Sequence, residues 1–111
     1  MTNWNTAIVT RITDIVDNRA AEGFVAEHGL SLLIEYGDER ILFDTGAGTA
    51  LQPNAAKLGI DLDDVTRIVL SHSHNDHTGG LGGLVPKCPI WGMNWQGEIV
   101  CFLEDFSYMI L

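Results

Sequence analysis

The chain has 111 residues and a formal net charge of −9, because fifteen aspartate and glutamate residues outnumber six lysine and arginine residues. A chain of this length can bury roughly two thirds of the surface that its unfolded form exposes, so one domain with a hydrophobic core is expected. The acidic balance lacks the clustered positive charge of a nucleic-acid-binding protein, and neither nucleic acid nor an anionic membrane is expected as a partner.

The composition of the two ends predicts a cytoplasmic protein. The first ten residues contain no basic region followed by the apolar stretch of a secretory signal. The apolar segment Ile99–Leu111 is interrupted by Glu104 and Asp105, and it is shorter than the roughly 20 residues needed to cross a bilayer. Cys88 and Cys101 match no spaced metal or redox pattern, which favours a reducing compartment.

Three β-prone runs open the sequence. Ala7–Val16 is rich in valine, isoleucine and threonine and predicts a first strand. Two further runs, Leu30–Tyr36 and Glu39–Phe43, are separated by Gly37 and Asp38, a pair that can take the positive φ angles of a tight turn. The second and third strands are therefore predicted to form a hairpin.

A short helix is predicted next. Pro53 can begin it, because its missing N–H would be unpaired in the first turn, and Gly59 can end it after Leu58. Asp61 is then expected to cap a turn that runs through Asp64.

The apolar run Thr66–Leu70 predicts a strand that is buried on both faces. The succession β-β-β-α-β predicts an α/β layer architecture. Thr78–Leu84 predicts the start of another helix, although each of its four glycines lowers helicity by about 1 kcal/mol relative to alanine.

Three histidines and one aspartate lie within six residues after the predicted strand: His72, His74, Asp76 and His77. Imidazole nitrogen and carboxylate oxygen are ligands of Zn²⁺, and the same set suits Fe²⁺ or Mn²⁺. His72 and His74 are two residues apart, so in an extended chain they point to one side and can hold one ion. Asp76 and His77 can hold a second ion, and such a pair could activate a water for hydrolysis. The alternative is a polar loop whose histidines have no function.

The stretch Ser-His-Ser-His-Asn-Asp-His-Thr-Gly-Gly-Leu, from Ser71 to Leu81, resembles the H-x-H-x-D-H signature of the metallo-β-lactamase fold superfamily. Ala26–Glu35 and Leu42–Gly46 are similar to the branch that includes archaeal dihydropterin (methanopterin-pathway) synthase-like proteins. The resemblance implies an α/β fold that is the N-terminal half of an αββα sandwich, a mixed sheet with helices on one face. It also implies a metal-dependent hydrolase that cleaves an ester, lactone, phosphodiester or related bond in a small molecule.

The resemblance also implies roles for individual residues. His72 and His74 would bind a first zinc ion, and Asp76 and His77 would bind a second. Asp76 would further orient or deprotonate the attacking water. Asp44 would hydrogen-bond the metal loop, defined here as residues 71–77, and fix the positions of its ligands. The alternative is a simple turn aspartate.

The predicted hairpin places His28 beside the loop that begins at Asp44. If the third and fourth strands are parallel, their carboxyl ends meet, and His72 lies at the same edge, where open α/β sheets bind ligands. His28 is therefore a candidate substrate contact, with an ordinary surface histidine as the alternative. A helix beginning at Thr78 would direct free N–H groups at an anionic substrate, unless its glycines only permit close packing.

The family fold has two similar halves, and the resemblance covers about residues 7–90, so 1–111 is expected to be a single truncated domain whose tail, 91–111, is unassigned. The family's remaining ligands, two histidines and a bridging aspartate, lie downstream of His77, and no histidine follows it here. Three hypotheses compete: a binuclear hydrolase completed by a second chain, a catalytically inactive metal-binding fragment, and an interaction module. Half a sandwich leaves one sheet face uncovered, so self-association or a second chain is expected there.

Overall fold

The computed structural model describes residues 9–84, 88–94 and 96–103. Within these residues, one sheet contains six strands in chain order: β1 (Val9–Val16), β2 (Ser31–Tyr36), β3 (Glu39–Phe43), β4 (Arg67–Leu70), β5 (Ile90–Met93) and β6 (Ile99–Leu103). Helical segments occupy the connections between strands: α1 (Leu51–Leu58), a 3₁₀-helix (Leu62–Asp64), α2 (Asn75–Thr78) and a second 3₁₀-helix (Gly79–Gly83).

The sheet is mixed. β1, β2 and β3 are antiparallel neighbours, β3, β4 and β5 are parallel, and β6 is antiparallel to β5. The predicted hairpin is confirmed, since Tyr36 pairs with Glu39 around a turn in which Gly37 has a φ of 58°. Because β3 and β4 are parallel, the loops that follow Phe43 and Leu70 leave the same edge of the sheet.

The core lies between the sheet and α1. One residue from each of the four central strands occupies the same row of this face: Leu33, Leu42, Ile68 and Ile90. These side chains belong to one buried cluster with Leu51 and Ala55 of α1. Full burial of each large side chain stabilises the fold by about 1.5–3 kcal/mol. Burial of this row against α1 therefore stabilises the packing of helix on sheet that the α/β prediction requires.

The opposite face of the sheet is also apolar. Its matching row consists of half-buried side chains from the same four strands: Leu32, Phe43, Val69 and Trp91. The expectation that a second chain or a second copy covers this face stays a prediction.

Element boundaries differ slightly from those predicted. α1 begins at Leu51 rather than at Pro53, because the carboxylate of Glu27 accepts hydrogen bonds from the amides that precede the first turn. The helix ends before Gly59, as predicted. The cap at Asp61 is also confirmed, since its side chain accepts a hydrogen bond from the Asp63 amide at 2.9 Å.

The prediction of a helix beginning at Thr78 is wrong. α2 ends there, and the glycine-rich stretch that follows is a 3₁₀-helix. A Cβ at Gly79 would overlap the carbonyl oxygen of Ala47, and one at Gly80 would overlap that of Thr45. The glycines therefore allow two stretches of backbone to approach closely. Close packing was the alternative explanation of these glycines in the sequence analysis.

Part of the tail beyond residue 90 joins the sheet. β6 and most of β5 lie in the segment 91–111, which the sequence left unassigned. Residues 104–111 and the first two residues of the predicted first strand, 7–8, lie outside the described residues. In the described part of the chain, no helix has the length and apolar character required to span a bilayer.

Candidate metal centre

Three candidate ligands meet at the edge where β3 and β4 end. His72 follows β4, whereas Asp76 and His77 lie on the single turn of α2. One possible ligand atom from each of these residues lies within 4.8 Å of the other two. The sequence-predicted metal loop thus brings three of its four candidate side chains into one cluster.

The buried side chain of Asp44 is hydrogen-bonded to residues next to and within the cluster. Its side chain is fully buried and its φ is 59°, a left-handed conformation that aspartate tolerates better than most residues. One carboxylate oxygen accepts hydrogen bonds from the Ser71 hydroxyl and from His77 Nδ1, both at 2.6 Å, and the other accepts from the Ser71 amide at 2.7 Å. Asp44 is therefore hydrogen-bonded to two residues of the predicted metal loop.

These contacts orient two imidazoles. His77 Nδ1 donates to Asp44, so its Nε2 is the nitrogen left to bind an ion. The Ser71 hydroxyl donates to Asp44 and lies 2.8 Å from His72 Nδ1, so it is the acceptor in that second hydrogen bond. Both histidines consequently present the lone pair of Nε2. In metal sites, hydrogen bonds to the other ring nitrogen of a histidine ligand impose the same arrangement.

Thr45 fixes the backbone of the same histidine. Its amide and its hydroxyl both donate to the His77 carbonyl, at 2.7 Å and 2.9 Å. The hydroxyl oxygen in turn accepts a hydrogen bond from the Gly80 amide at 3.0 Å. Asp44 and Thr45 are therefore consecutive residues that hold the ring and the main chain of one ligand.

Asp76 lies between two histidines. Its Oδ2 is 3.3 Å from His77 Nε2 and 3.4 Å from His28 Nε2. The His28 side chain is 84% exposed, and the Asp76 side chain is 26% exposed. The Leu30 amide donates to the Asp76 carbonyl at 3.3 Å, so the segment that precedes β2 and carries His28 also touches the main chain of α2.

His74 is exposed and lies outside the group of three ligand atoms. Its ring is edge-on to that of His72, with 4.6 Å between the ring centres, so the two imidazoles are neighbours. That they bind one ion together stays a prediction. The His74 carbonyl accepts hydrogen bonds from the His77 and Thr78 amides, which begins α2.

The predicted anion site at Thr78 is not present. The Thr78 amide donates to His74, the Gly79 amide donates to Asn75, and the Gly80 amide donates to residues of the loop after β3. These N–H groups are used within the protein because α2 is one turn long and packs against that loop.

Sequence reasoning missed the role of Glu27. Its carboxylate accepts hydrogen bonds from the amides of Ala47, Thr49 and Ala50 at 2.8 Å, 3.0 Å and 3.2 Å. It thereby orders the loop between β3 and α1, on which the glycines after α2 pack. The amides lie 20 to 23 residues away in sequence, so no local pattern could reveal the contact.

The donor set fits a divalent metal ion. Two imidazoles with fixed Nδ1 atoms and one carboxylate are ligands typical of zinc, and they also suit Fe²⁺ and Mn²⁺.

Comparison with known proteins identifies relatives of the chain. The uncharacterized protein MJ0448 of Methanocaldococcus jannaschii is 43% identical over 92 residues, which are 83% of this chain and 34% of that protein. The 7,8-dihydropterin-6-methyl-4-(beta-D-ribofuranosyl)-aminobenzene-5'-phosphate synthase of the same organism is 45% identical over 58% of this chain and 24% of the synthase.

The solved structure of Tm1679, described as a metal-dependent hydrolase of the beta-lactamase superfamily, is similar to this fold with a TM-score of 0.58 and 42% identity. The similarity covers 66% of this chain and 26% of Tm1679, so the chain spans about a third or less of the length of each of these relatives. That coverage fits one half of a sandwich. The model of the family described as the metallo-beta-lactamase superfamily matches residues 25–90, more than half of the sequence, and the chain therefore belongs to that superfamily.

Proposed function

We propose that the chain carries the principal metal-binding loop of a hydrolase, with His72, Asp76 and His77 as ligands of a divalent ion and zinc as the first candidate. The observation that carries this proposal is the convergence of three ligand atoms within 4.8 Å, beside a buried carboxylate that orients His77. When bound, such an ion lowers the pKa of a water and polarises the bond to be cleaved.

Each residue has a part in this proposal. Asp44 holds His77 and, through Ser71, His72, so that both rings keep Nε2 free of a proton. His74, next to His72, is assigned to the same ion as His72 if two ions bind. Asp76 accepts the proton of the attacking water through its carboxylate. The substrate is a small molecule with an ester, lactone, phosphodiester or related bond.

A second candidate is a metal-binding fragment or interaction module without catalysis. The observation that favours it is that the described residues bring three candidate ligand atoms together, which can hold one ion, whereas a hydrolytic site with two ions needs more. In this second candidate function, the apolar sheet face is the surface on which a second chain or a second copy would dock.

Metal content per chain tests the proposal first. We expect one or two zinc, iron or manganese ions per chain in a monodisperse sample, purified without a histidine tag and analysed for its elements. The double variant His72→Ala/His77→Ala should contain none, whereas Asp38→Ala, in the exposed hairpin turn, should match the wild type. A wild-type chain without metal would contradict the proposal.

Hydrolysis of a generic phosphodiester and a lactone at near-neutral pH then separates the two candidates. Turnover that is lost in Asp76→Ala while metal remains bound would support the catalytic assignment. Full metal occupancy without turnover would favour the non-catalytic candidate.

A further inference from the structure

The packing of α1 and the glycine-rich 3₁₀-helix over the sheet leaves a cavity of about 320 Å³. Its floor consists of apolar side chains that are at most 9% exposed: Leu42, Ala55, Ile68, Leu84 and Cys88. The volume equals that of about ten water molecules, and it lies at the lower end of the range of about 300–1,000 Å³ that is typical of small-molecule sites. The cavity is therefore large enough for a small organic ligand.

A glycine leaves the mouth of the cavity open. Gln52 Nε2 donates to the Gly83 carbonyl at 2.9 Å, and this hydrogen bond joins α1 to the 3₁₀-helix at the mouth. A Cβ at Gly83 would meet only the same Nε2, at 3.7 Å, so no other group fills the space beside it. The close packing at Gly79 and Gly80 does not require this opening.

The cavity and the candidate metal centre lie at opposite ends of the parallel strands. The lining residues Val65, Leu84 and Cys88 come before β4 and β5 in the chain. His72, in contrast, follows β4, and none of the three clustered ligand residues lines the cavity. A ligand in the cavity would therefore occupy a second site.

The mouth of the cavity carries negative charge. Asp61 and Asp63 line it and are exposed, and none of the described residues that line it is basic. The Asp61 carboxylate accepts its capping hydrogen bond through one oxygen, so a second oxygen remains for a ligand. Burial raises the pKa of the Cys88 thiol, so the floor stays uncharged beneath this acidic mouth.

From the apolar floor and the acidic mouth, we propose that the cavity binds a small amphiphilic cation, an alkylammonium group with a short hydrocarbon chain. The chain would lie against Leu42 and Ile68, and the ammonium group would lie at Asp61 and Asp63. A lysine side chain is divided in the same way, since its methylene stem lies on apolar surface while its ammonium group stays in water. This site does not rest on the proposed function, because it shares no residue with the metal centre.

Isothermal titration calorimetry with hexylamine, butylamine and hexanoate tests the chemistry of the ligand. Hexylamine should bind about 10- to 20-fold more tightly than butylamine, because each of its two further methylene groups tightens binding by about fourfold when buried. Hexanoate has a similar chain and the opposite charge, and it should bind at least about 10-fold more weakly than hexylamine. Equal binding of hexanoate and hexylamine, or no binding of hexylamine, would overturn the proposal.

A substitution at the mouth tests the contact with the ammonium group. Asp63→Asn removes one charge and should weaken hexylamine binding by about 2–5-fold, the range expected for an exposed ion pair. The matched control is Asp64→Asn, which removes the same charge from the same 3₁₀-helix at a residue that does not line the cavity. Equal weakening by both substitutions would indicate a general attraction to an acidic protein and would contradict the assigned position.

The two cysteines show where hexylamine binds. Cys88 lines the cavity, whereas Cys101 pairs with Trp91 and belongs to the opposite face of the sheet. Saturating hexylamine should slow the reaction of Cys88 with N-ethylmaleimide several-fold and leave that of Cys101 unchanged, as measured by mass spectrometry of peptides. The assignment fails if Cys88 reacts equally with and without hexylamine, or if it does not react in the free protein, which would mean that the cavity is closed.

Discussion

Asp44 is the residue on which the candidate centre depends most. It is a buried carboxylate with a left-handed backbone conformation, and it accepts three hydrogen bonds from two residues of the metal loop. An unpaired carboxylate at this depth would destabilise the fold by several kcal/mol, so its partners and its position are required together.

The substitution Asp44→Asn tests this dependence. Asparagine tolerates the same positive φ, so the fold should persist. Asparagine has one accepting oxygen and an NH₂ group that cannot accept, so the three hydrogen bonds to Asp44 cannot all persist, and we expect zinc affinity to fall by about 10–100-fold. Zinc titration measures the effect, with Asp38→Asn in the exposed hairpin turn as control. Equal affinities in Asp44→Asn and the wild type would contradict the role of Asp44.

At the scale of elements, the 3₁₀-helix after α2 shows why four glycines occur together. Gly79 and Gly80 pack on carbonyl groups of the loop after β3, whereas a Cβ at Gly82 would have no atom within 4 Å. A side chain is therefore excluded at the beginning of this stretch, whereas Gly82 near its end has room for one.

Alanine substitutions should reveal this difference. Gly79→Ala inserts a methyl group against the Ala47 carbonyl, and we expect the free energy of unfolding to fall by about 1–3 kcal/mol. Gly82→Ala is the matched control and should change it by no more than about 0.5 kcal/mol. Urea denaturation followed by circular dichroism compares the two. Equal destabilisation by both variants would show that the close approach at Gly79 does not matter.

The sequence predicts those elements that depend on neighbouring residues. The hairpin around Gly37, the end of α1 and the cap at Asp61 follow from short patterns, and the structure confirms them. The helix predicted from Thr78 fails because the reason for its glycines lies in residues 45–47, more than thirty positions earlier. Glu27 escaped notice for the same reason, since its partners belong to another loop.

At the scale of the whole molecule, the fold class follows from the order of apolar runs, because parallel β3 and β4 require a helical crossover between them. The grouping of His72, Asp76 and His77 was also within reach of the sequence, since all three lie in one loop. The hairpin register also predicted His28 at this edge of the sheet, whereas its 3.4 Å contact with Asp76 depends on how the segment before β2 meets α2.

The free energy of unfolding should depend on pH through one pair of carboxyl groups, Asp14 and Asp17. Burial, followed by the hydrogen bond and charge of Asp17, raises the pKa of Asp14 to about 6, and the hydrogen bond from Asp14 lowers the pKa of Asp17. The folded state therefore holds a proton on Asp14 that the unfolded state releases near the ordinary aspartate pKa of 3.8. The stability that this proton contributes is present at acidic pH and is lost as the pH rises through about 6.

The variant Asp14→Asn keeps a donor for Asp17 but does not titrate. We expect its stability relative to the wild type to increase between pH 4.5 and pH 7.5, as the wild type loses the contribution of its proton. Thermal unfolding of both proteins across this range measures the difference, in which the other titrating groups cancel. A difference that stays constant with pH would contradict the assignment.

Asp44 and Thr45 follow β3 without any intervening residue, and between them they hold the ring and the main chain of His77. The constraint at this point of the molecule is therefore one of chain length as much as of residue type. One extra residue after Phe43 would carry both hydrogen-bonding groups past the histidine, whereas the exposed turn at Gly37 could lengthen without moving either. Insertions and deletions among relatives should accordingly accumulate at the hairpin turn and be absent between β3 and Thr45.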